Sequence, residues 1–229
     1  MTRIGTIKAE LLDLLEYTET EEPQLHQRLQ EIWKWIKDKK DGLIISKNHV
    51  LNLLEEVIKD SIFWLEYKTL TTEEKHQVNQ TLSGSRYYWS LVLFPLWFQE
   101  ADPKSKRWKQ ELFRNNFKHL DNRDILETCR EITKQGGNTH TSYILDLSMA
   151  TDLIAASSSS QALAVQLTIT SVGSLASKKD KWEKTLIYWN IKRGLLVSYD
   201  PRNSVVARVA VILRECASLP DSCYHTRET

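Results

Sequence analysis

Glycine is scarce in this chain, seven residues in 229, well under the usual share of about 7%. No Gly-x-Gly-x-x-Gly fingerprint and no phosphate-binding loop occurs, so the common nucleotide-binding loops are excluded. His-Glu-x-x-His and Gly-x-Ser-x-Gly are missing too, which removes the zinc-protease helix and the hydrolase nucleophile elbow. The three cysteines, Cys129, Cys216 and Cys223, are odd in number and match no common zinc spacing. A reduced, cytoplasmic protein is the reading they support. Arg3, Lys8, Glu10 and Asp13 interrupt the apolar N-terminus, unlike a signal peptide. No apolar run approaches the ~20 residues a bilayer requires, so no membrane association is expected. An excess of one charge is also lacking, with 31 Lys and Arg against 30 Asp and Glu. Any nucleic-acid surface must therefore come from local segregation of charge.

What is present divides near residue 120. Before it, apolar residues recur at helical spacing: Ile4, Ile7, Leu11, Leu14 and Leu15, then Leu25, Leu29, Ile32, Trp33 and Ile36. A further helix runs through Val50, Leu53, Leu54, Val57, Ile58, Ile62 and Leu65. Pro23 suits a first helical turn, and Thr71 with Glu74 forms a capping box. Lys37 to Lys40 followed by Gly42 suits a helix C-terminus. The aromatic stretch Tyr87 to Phe98 reads as a buried helix that Pro95 kinks or divides. Between 104 and 118, Lys104, Lys106, Arg107, Lys109, Arg114 and Lys118 alternate with Trp108, Phe113 and Phe117. Such a mixture suits phosphates and stacked bases, or simply a solvated cationic face whose rings turn inward.

From Gly136 onward Val, Ile, Thr and Ser dominate. A helix is expected over Arg123 to Gln135, ending at Gly136-Gly137, with Cys129 on its apolar stripe. Strands follow at Thr141 to Ser148, Ala150 to Ala156 and Leu163 to Thr170. A helix over Lys178 to Asn190, a strand Gly194 to Tyr199 and a helix Val205 to Ser218 complete the pattern. Residues 220–229 read as a frayed polar tail. Asp152 enters the second strand, and Gln166 and Thr168 lie two apart on the third. Side chains two apart share a face, so the three are expected to converge. His140 reads as a turn residue.

This helix, three strands, helix, strand order resembles the restriction-endonuclease-like nuclease superfamily, whose signature is Pro-Asp followed by (Asp/Glu)-x-Lys. Thr151-Asp152 stands for the first part, and after thirteen intervening residues Gln166-Leu167-Thr168 stands for the second. The resemblance implies an α+β fold: a helical region at 1–119 and an endonuclease-like αβββαβ core at 120–229. It implies Mg²⁺ or Mn²⁺ held by Asp152 and Gln166, with Glu131 (or Glu127) as an extra acid. Thr168 occupies the position of the usual lysine and lacks its charge. A lysine of the following helix is then required from Lys178, Lys179, Lys181 or Lys184. Lys184 is grouped with the catalytic set, and Lys178, Lys179 and Lys181 with nucleic-acid phosphates, as are Lys106 and Arg107. DNA is the implied substrate, hydrolysed at its phosphodiester bonds. The competing expectation is an inactive core whose N-terminal helices bind a protein or nucleic acid.

Overall fold

The structure, a computed structural model, describes residues 3–45, 47–114, 123–157, 161–169 and 172–229. By its internal contacts the chain divides into two compact units, Met1–Gln77 with Ser90–Phe117, and Val78–Trp89 with Lys118–Thr229. Residues 78–89, expected in the helical region, thus cluster with the sheet. No helix among the described residues is long and apolar enough to cross a membrane.

The first unit is helical. Its core gathers the apolar stripes of α1 (Arg3–Glu21), α2 (Pro23–Ile36) and α4 (Asn48–Thr69), with the short α3 (Asp41–Ile45) between the last two. Pro23 occupies the first turn of α2, as its fixed φ and absent N–H favour. The Glu22 carboxylate accepts from Trp64 Nε1 (3.1 Å) and Lys68 Nζ (2.8 Å), tying α4 to the α1–α2 turn. Gly42 lies inside α3 with no positive φ, so it is not the C-cap its position suggested. Ser46, whose side chain suits an N-cap ahead of α4, lies outside the described residues. Ahead of α5 (Thr72–Thr81), the Thr71 N–H donates to Glu74 Oε2 (2.8 Å) and the Glu74 N–H to Thr71 Oγ1 (3.3 Å), completing the capping box.

The aromatic stretch is divided at Pro95. After α6 (Gly84–Tyr88) comes a π-helical turn, Trp89–Leu93, and then α7 (Phe94–Gln99). Proline cannot donate to the carbonyl four residues back and its ring crowds that carbonyl; the wider turn before it relieves both. Trp89, Phe94, Trp97 and Phe98 are buried. Arg28, itself buried, donates to the Trp97 and Glu100 carbonyls and so terminates α7. The unit closes with α8 (Ser105–Phe113).

The second unit carries a five-stranded mixed sheet in the order β1-β2-β3-β4-β5 among the described residues. Its order along the chain is α9 (Arg123–Lys134), β1 (Asn138–His140), α10 (Tyr143–Met149), β2 (Leu153–Ala156), β3 (Leu163–Thr168), α11 (Val172–Tyr188), β4 (Arg193–Ser198), α12 (Val205–Ser218) and β5 (Cys223–Glu228). β1, β2 and β3 pair antiparallel; β4 and β5 run parallel to β3. Leu153, Ala155, Val165, Leu167, Leu195 and Val197 face α9 and α12, packing on Ile125, Ile132, Val209 and Ile212. α11 lies over β4 on the other face. A Cβ on Gly194 would stand 2.3 Å from Leu186 and 3.0 Å from Trp182, so only glycine permits that approach. Gly136, at φ 80°, ends α9 as expected.

Two expectations fail here. Thr141 to Ser148 is not a strand: Ser142 accepts from the Ile144 N–H (3.2 Å) and opens α10, while the first strand lies earlier. Tyr143, Ile144, Leu145, Leu147 and Met149 are all buried, and an apolar run buried all round has no period to tell helix from strand. Nor is the C-terminal segment a frayed tail. It is β5, with His225 (2.9 Å) and Arg227 (2.8 Å) bound to the buried Glu215 carboxylate of α12. Polar alternation is what an edge strand tolerates.

Candidate functional site

Asp152 stands where the chain enters β2. Its N–H donates to the Val165 carbonyl (2.9 Å), which fixes the hairpin register, and that register sets Leu153 opposite Val165. Asp152 is therefore level with Gln166, and Gln166 and Thr168 share its sheet face. Asp152 Oδ2 accepts from Gln166 Nε2 and from the Leu167 N–H, both at 2.6 Å. β2 has ended at this level, and the carboxylate takes the place of the missing strand partner. Asp152 and Thr168 are buried, at 6% and 4% exposure, while Gln166 is half-buried.

Thr168 Oγ1 accepts from Lys178 Nζ at 2.6 Å. Among the lysines of α11, Lys178 is thus the one that reaches the signature position. At about 100° per residue it lies roughly 60° from the centre of the buried Leu175–Trp182–Leu186 stripe, close enough to turn towards the sheet. Lys184 lies roughly opposite that stripe and pairs with Asp180 (2.8 Å) in solvent. Lys184, grouped with the catalytic set from the sequence, therefore stands away from Asp152, Gln166 and Thr168, and Lys178 is the lysine found beside them. Lys179 pairs with Glu183 (3.6 Å), and Lys181 is exposed.

Glu131 does not join Asp152. It accepts from Gln135 (3.0 Å) and pairs with Lys134 (3.4 Å), which hold its carboxyl below the usual range, and Glu127 pairs with Arg123 (2.7 Å). The α9 acid tied to the sheet is Asp124, whose Oδ2 accepts from the Tyr199 hydroxyl (2.7 Å). Seven residues are nearly two turns, so Asp124 and Glu131 share a helical face but stand about 10 Å apart along it. Burial, the Asp124 contact and the Asp152 charge push the Tyr199 phenol well above its ordinary pKa, against the Arg208 guanidinium 4.2 Å from its ring centre. Tyr199 is kept as a donor. By strand parity it faces away from Asp152, so Asp124 belongs to a neighbouring cluster. Asp124 and Tyr199 are 75 residues apart, and no spacing in the chain signals their meeting. Asn122 and Asp121, either of which suits an N-cap ahead of α9, lie outside the described residues.

His140 is a strand residue, not a turn residue. It stacks on Trp89 (centroids 5.7 Å apart) with its Nε2 buried and unpartnered, and burial lowers its pKa to about 3. Burial pushes the Cys216 thiol up to about 12 and raises that of half-buried Cys129, so neither is an activated nucleophile. In the helical unit Arg107 pairs with Glu111 (2.8 Å), while Lys106 lines a groove; Phe117 and Lys118 lie outside the described residues.

Among the described residues, no three His, Cys, Asp or Glu side chains group closely enough to hold a metal ion. The donors at hand are the Asp152 carboxylate and the Gln166 amide. A half-turn of that amide exchanges Nε2 for Oε1. One carboxylate and one carbonyl oxygen fit a hard cation that takes its remaining ligands from water and substrate phosphate, as Mg²⁺ commonly does. Beside Ser198 and Tyr199, at the carboxyl ends of β4 and β5, a cleft of about 460 Å³ opens between Ile169, Arg202 and Glu228. No protein-family model, curated protein or solved structure matches the chain.

Proposed function

We propose that the sheet-bearing unit is a divergent, endonuclease-like core that hydrolyses phosphodiester bonds in DNA with Mg²⁺ or Mn²⁺. The reading rests on one observation, the meeting of Asp152, Gln166 and Thr168 on one sheet face with the Lys178 ammonium against Thr168. The order α9, β1, α10, β2, β3, α11, β4, with β1 to β3 antiparallel and β4 parallel to β3, supports it apart from α10, a helix that the αβββαβ pattern lacks. Asp152 and Gln166 would hold the ion. When bound, a divalent ion stabilises charge on the phosphate and lowers the pKa of a water. Lys178 supplies from the helix the positive charge that Thr168 lacks, facing the negative charge that grows on the phosphate.

Supercoiled plasmid nicking tests this. Cleavage is expected with Mg²⁺ or Mn²⁺, lost in Asp152→Ala and reduced about 100-fold in Lys178→Met, the usual scale for removing one such electrostatic group. Absence of nicking with either ion, or full activity in Asp152→Ala, sinks the proposal. A second reading has its own support: Asp152 already receives two short N–H bonds from the protein. A carboxylate so employed holds a sheet edge without any ion. On that reading the unit is an inactive core, and Asp152→Ala loses stability without there being any cleavage to lose.

A further inference from the structure

The helical unit contains a groove of about 610 Å³ lined by Trp35, Lys39, Leu43, Lys106, Lys109, Gln110, Phe113 and Arg114. Its lining, among the described residues, carries four cations and no carboxylate. Nearby acids are committed elsewhere: Glu31 to Arg28 (2.7 Å), Asp41 to Lys8 (2.6 Å) and Glu111 to Arg107 (2.8 Å). Asp38 does not line it. Lys109 is half-buried, its Nζ 3.5 Å from the Glu31 carbonyl, and burial lowers its pKa. An ammonium in that position gains from any anion that arrives. The wall between the cations is aromatic. Trp35 meets Phe113 edge-on (5.1 Å) and Trp108 likewise (5.6 Å), and Leu43 is 45% exposed.

We infer that this groove seats single-stranded nucleic acid, one or two nucleotides deep, with phosphates on Lys39, Lys106, Lys109 and Arg114 and a base against Trp35 and Phe113. Each half of the lining requires its own part of the ligand. Cations alone fit any polyanion, but a duplex hides its base faces and would leave the ring wall wet. An acidic peptide brings charge without a flat ring. Of these three, an unstacked strand is the one that offers both. The volume agrees with a ligand of that size. The inference stands independently of Asp152.

The test uses the full chain in EDTA, which keeps divalent ions out of the measurement, and fluorescence anisotropy with labelled oligothymidylate of about 15 nucleotides. Binding is expected, at least tenfold tighter than to a duplex of equal length. The slope of log affinity against log salt should lie near −1.4 to −2, at about 0.7 for each of the two or three phosphates flanking the seated nucleotides. The double variant Lys39→Glu/Lys106→Glu, both exposed, should weaken binding at least tenfold with an unchanged melting temperature. Trp35→Leu should cost roughly tenfold while keeping the salt slope, the signature of lost stacking. No binding at roughly 50 mM salt, equal affinity for duplex, or a charge-reversed double variant that binds like the native chain would each overturn the inference.

Discussion

In the helical unit, three buried polar side chains serve groups close at hand, while Arg28 reaches carbonyls 69 and 72 residues away. Thr18 and Ser61 each donate to the carbonyl four residues back (2.7 Å), and Asp102 accepts from the Lys104 N–H (2.8 Å) and Trp108 Nε1 (2.9 Å). In the sheet unit, buried polar side chains join distant segments. Asp152 meets Leu167, Lys178 meets Thr168, Tyr199 meets Asp124, and Arg193 gathers the carbonyls of Gln161, Glu215, Cys216 and Leu219. A helix satisfies its own backbone and asks for polar help mainly at its ends. A sheet ends on groups whose partners come from elsewhere in the chain. Candidate chemistry therefore accumulates at the sheet's end in one unit, and on the solvent-facing groove wall in the other.

The two buried arginines offer the sharpest way to break that contrast. Arg193→Met removes the donor from those four carbonyls and from that of Ala162, and should cost about 3–5 kcal/mol, the scale for stripping one side of a buried charged network. Arg28→Met frees two carbonyls and a partly exposed Glu31 and should cost about 2–3 kcal/mol. Hydrogen exchange should show the loss confined to the unit that carries each change; a loss spread evenly over both would defeat the contrast.

Gly194→Ala comes next, at about 1–3 kcal/mol for overpacking, since the added methyl overlaps Leu186 and Trp182. Displacing α11 should also draw Lys178 from Thr168, so nicking should fall by more than the stability loss explains. Unchanged activity in a folded Gly194→Ala protein would detach Lys178 from the chemistry.

The smallest effect near neutrality belongs to His140. Burial and the Arg86 charge favour its neutral form, so the folded state resists a proton that the unfolded chain accepts near pH 6.5. Its stabilising contribution is complete above that pH. It declines by about 1.4 kcal/mol per pH unit as acid carries the protein towards pH 3. His140→Phe should flatten this part of a stability–pH profile measured by urea titration. A profile of unchanged slope would mean that His140 is protonated without cost.

Much of this was written locally. The stripes of α1, α2 and α4, Pro23, the Thr71–Glu74 box and the Gly136 stop are patterns of neighbours, and each appears in the structure. The shared face of Asp152, Gln166 and Thr168 was legible as well, because a two-residue period and a short connection leave few registers. The choice among the α11 lysines was not: the buried stripe of Leu175, Trp182 and Leu186 turns Lys184 away but leaves Lys178 and Lys179 about equally near it. β5 was hidden by its polarity, and α10 by the uniform burial of its residues.

Sequence alone determined the long helices of the first unit, α1, α2 and α4, and which three polar side chains one hairpin would align. Tertiary structure decided which lysine meets them, which α9 acid touches the sheet, and that Trp35 and Lys39 share a groove with the cationic segment 104–114. The reason is range: periodicity and capping act within a few residues along the chain, whereas these meetings depend on how packed elements bring remote side chains within a few ångströms of one another.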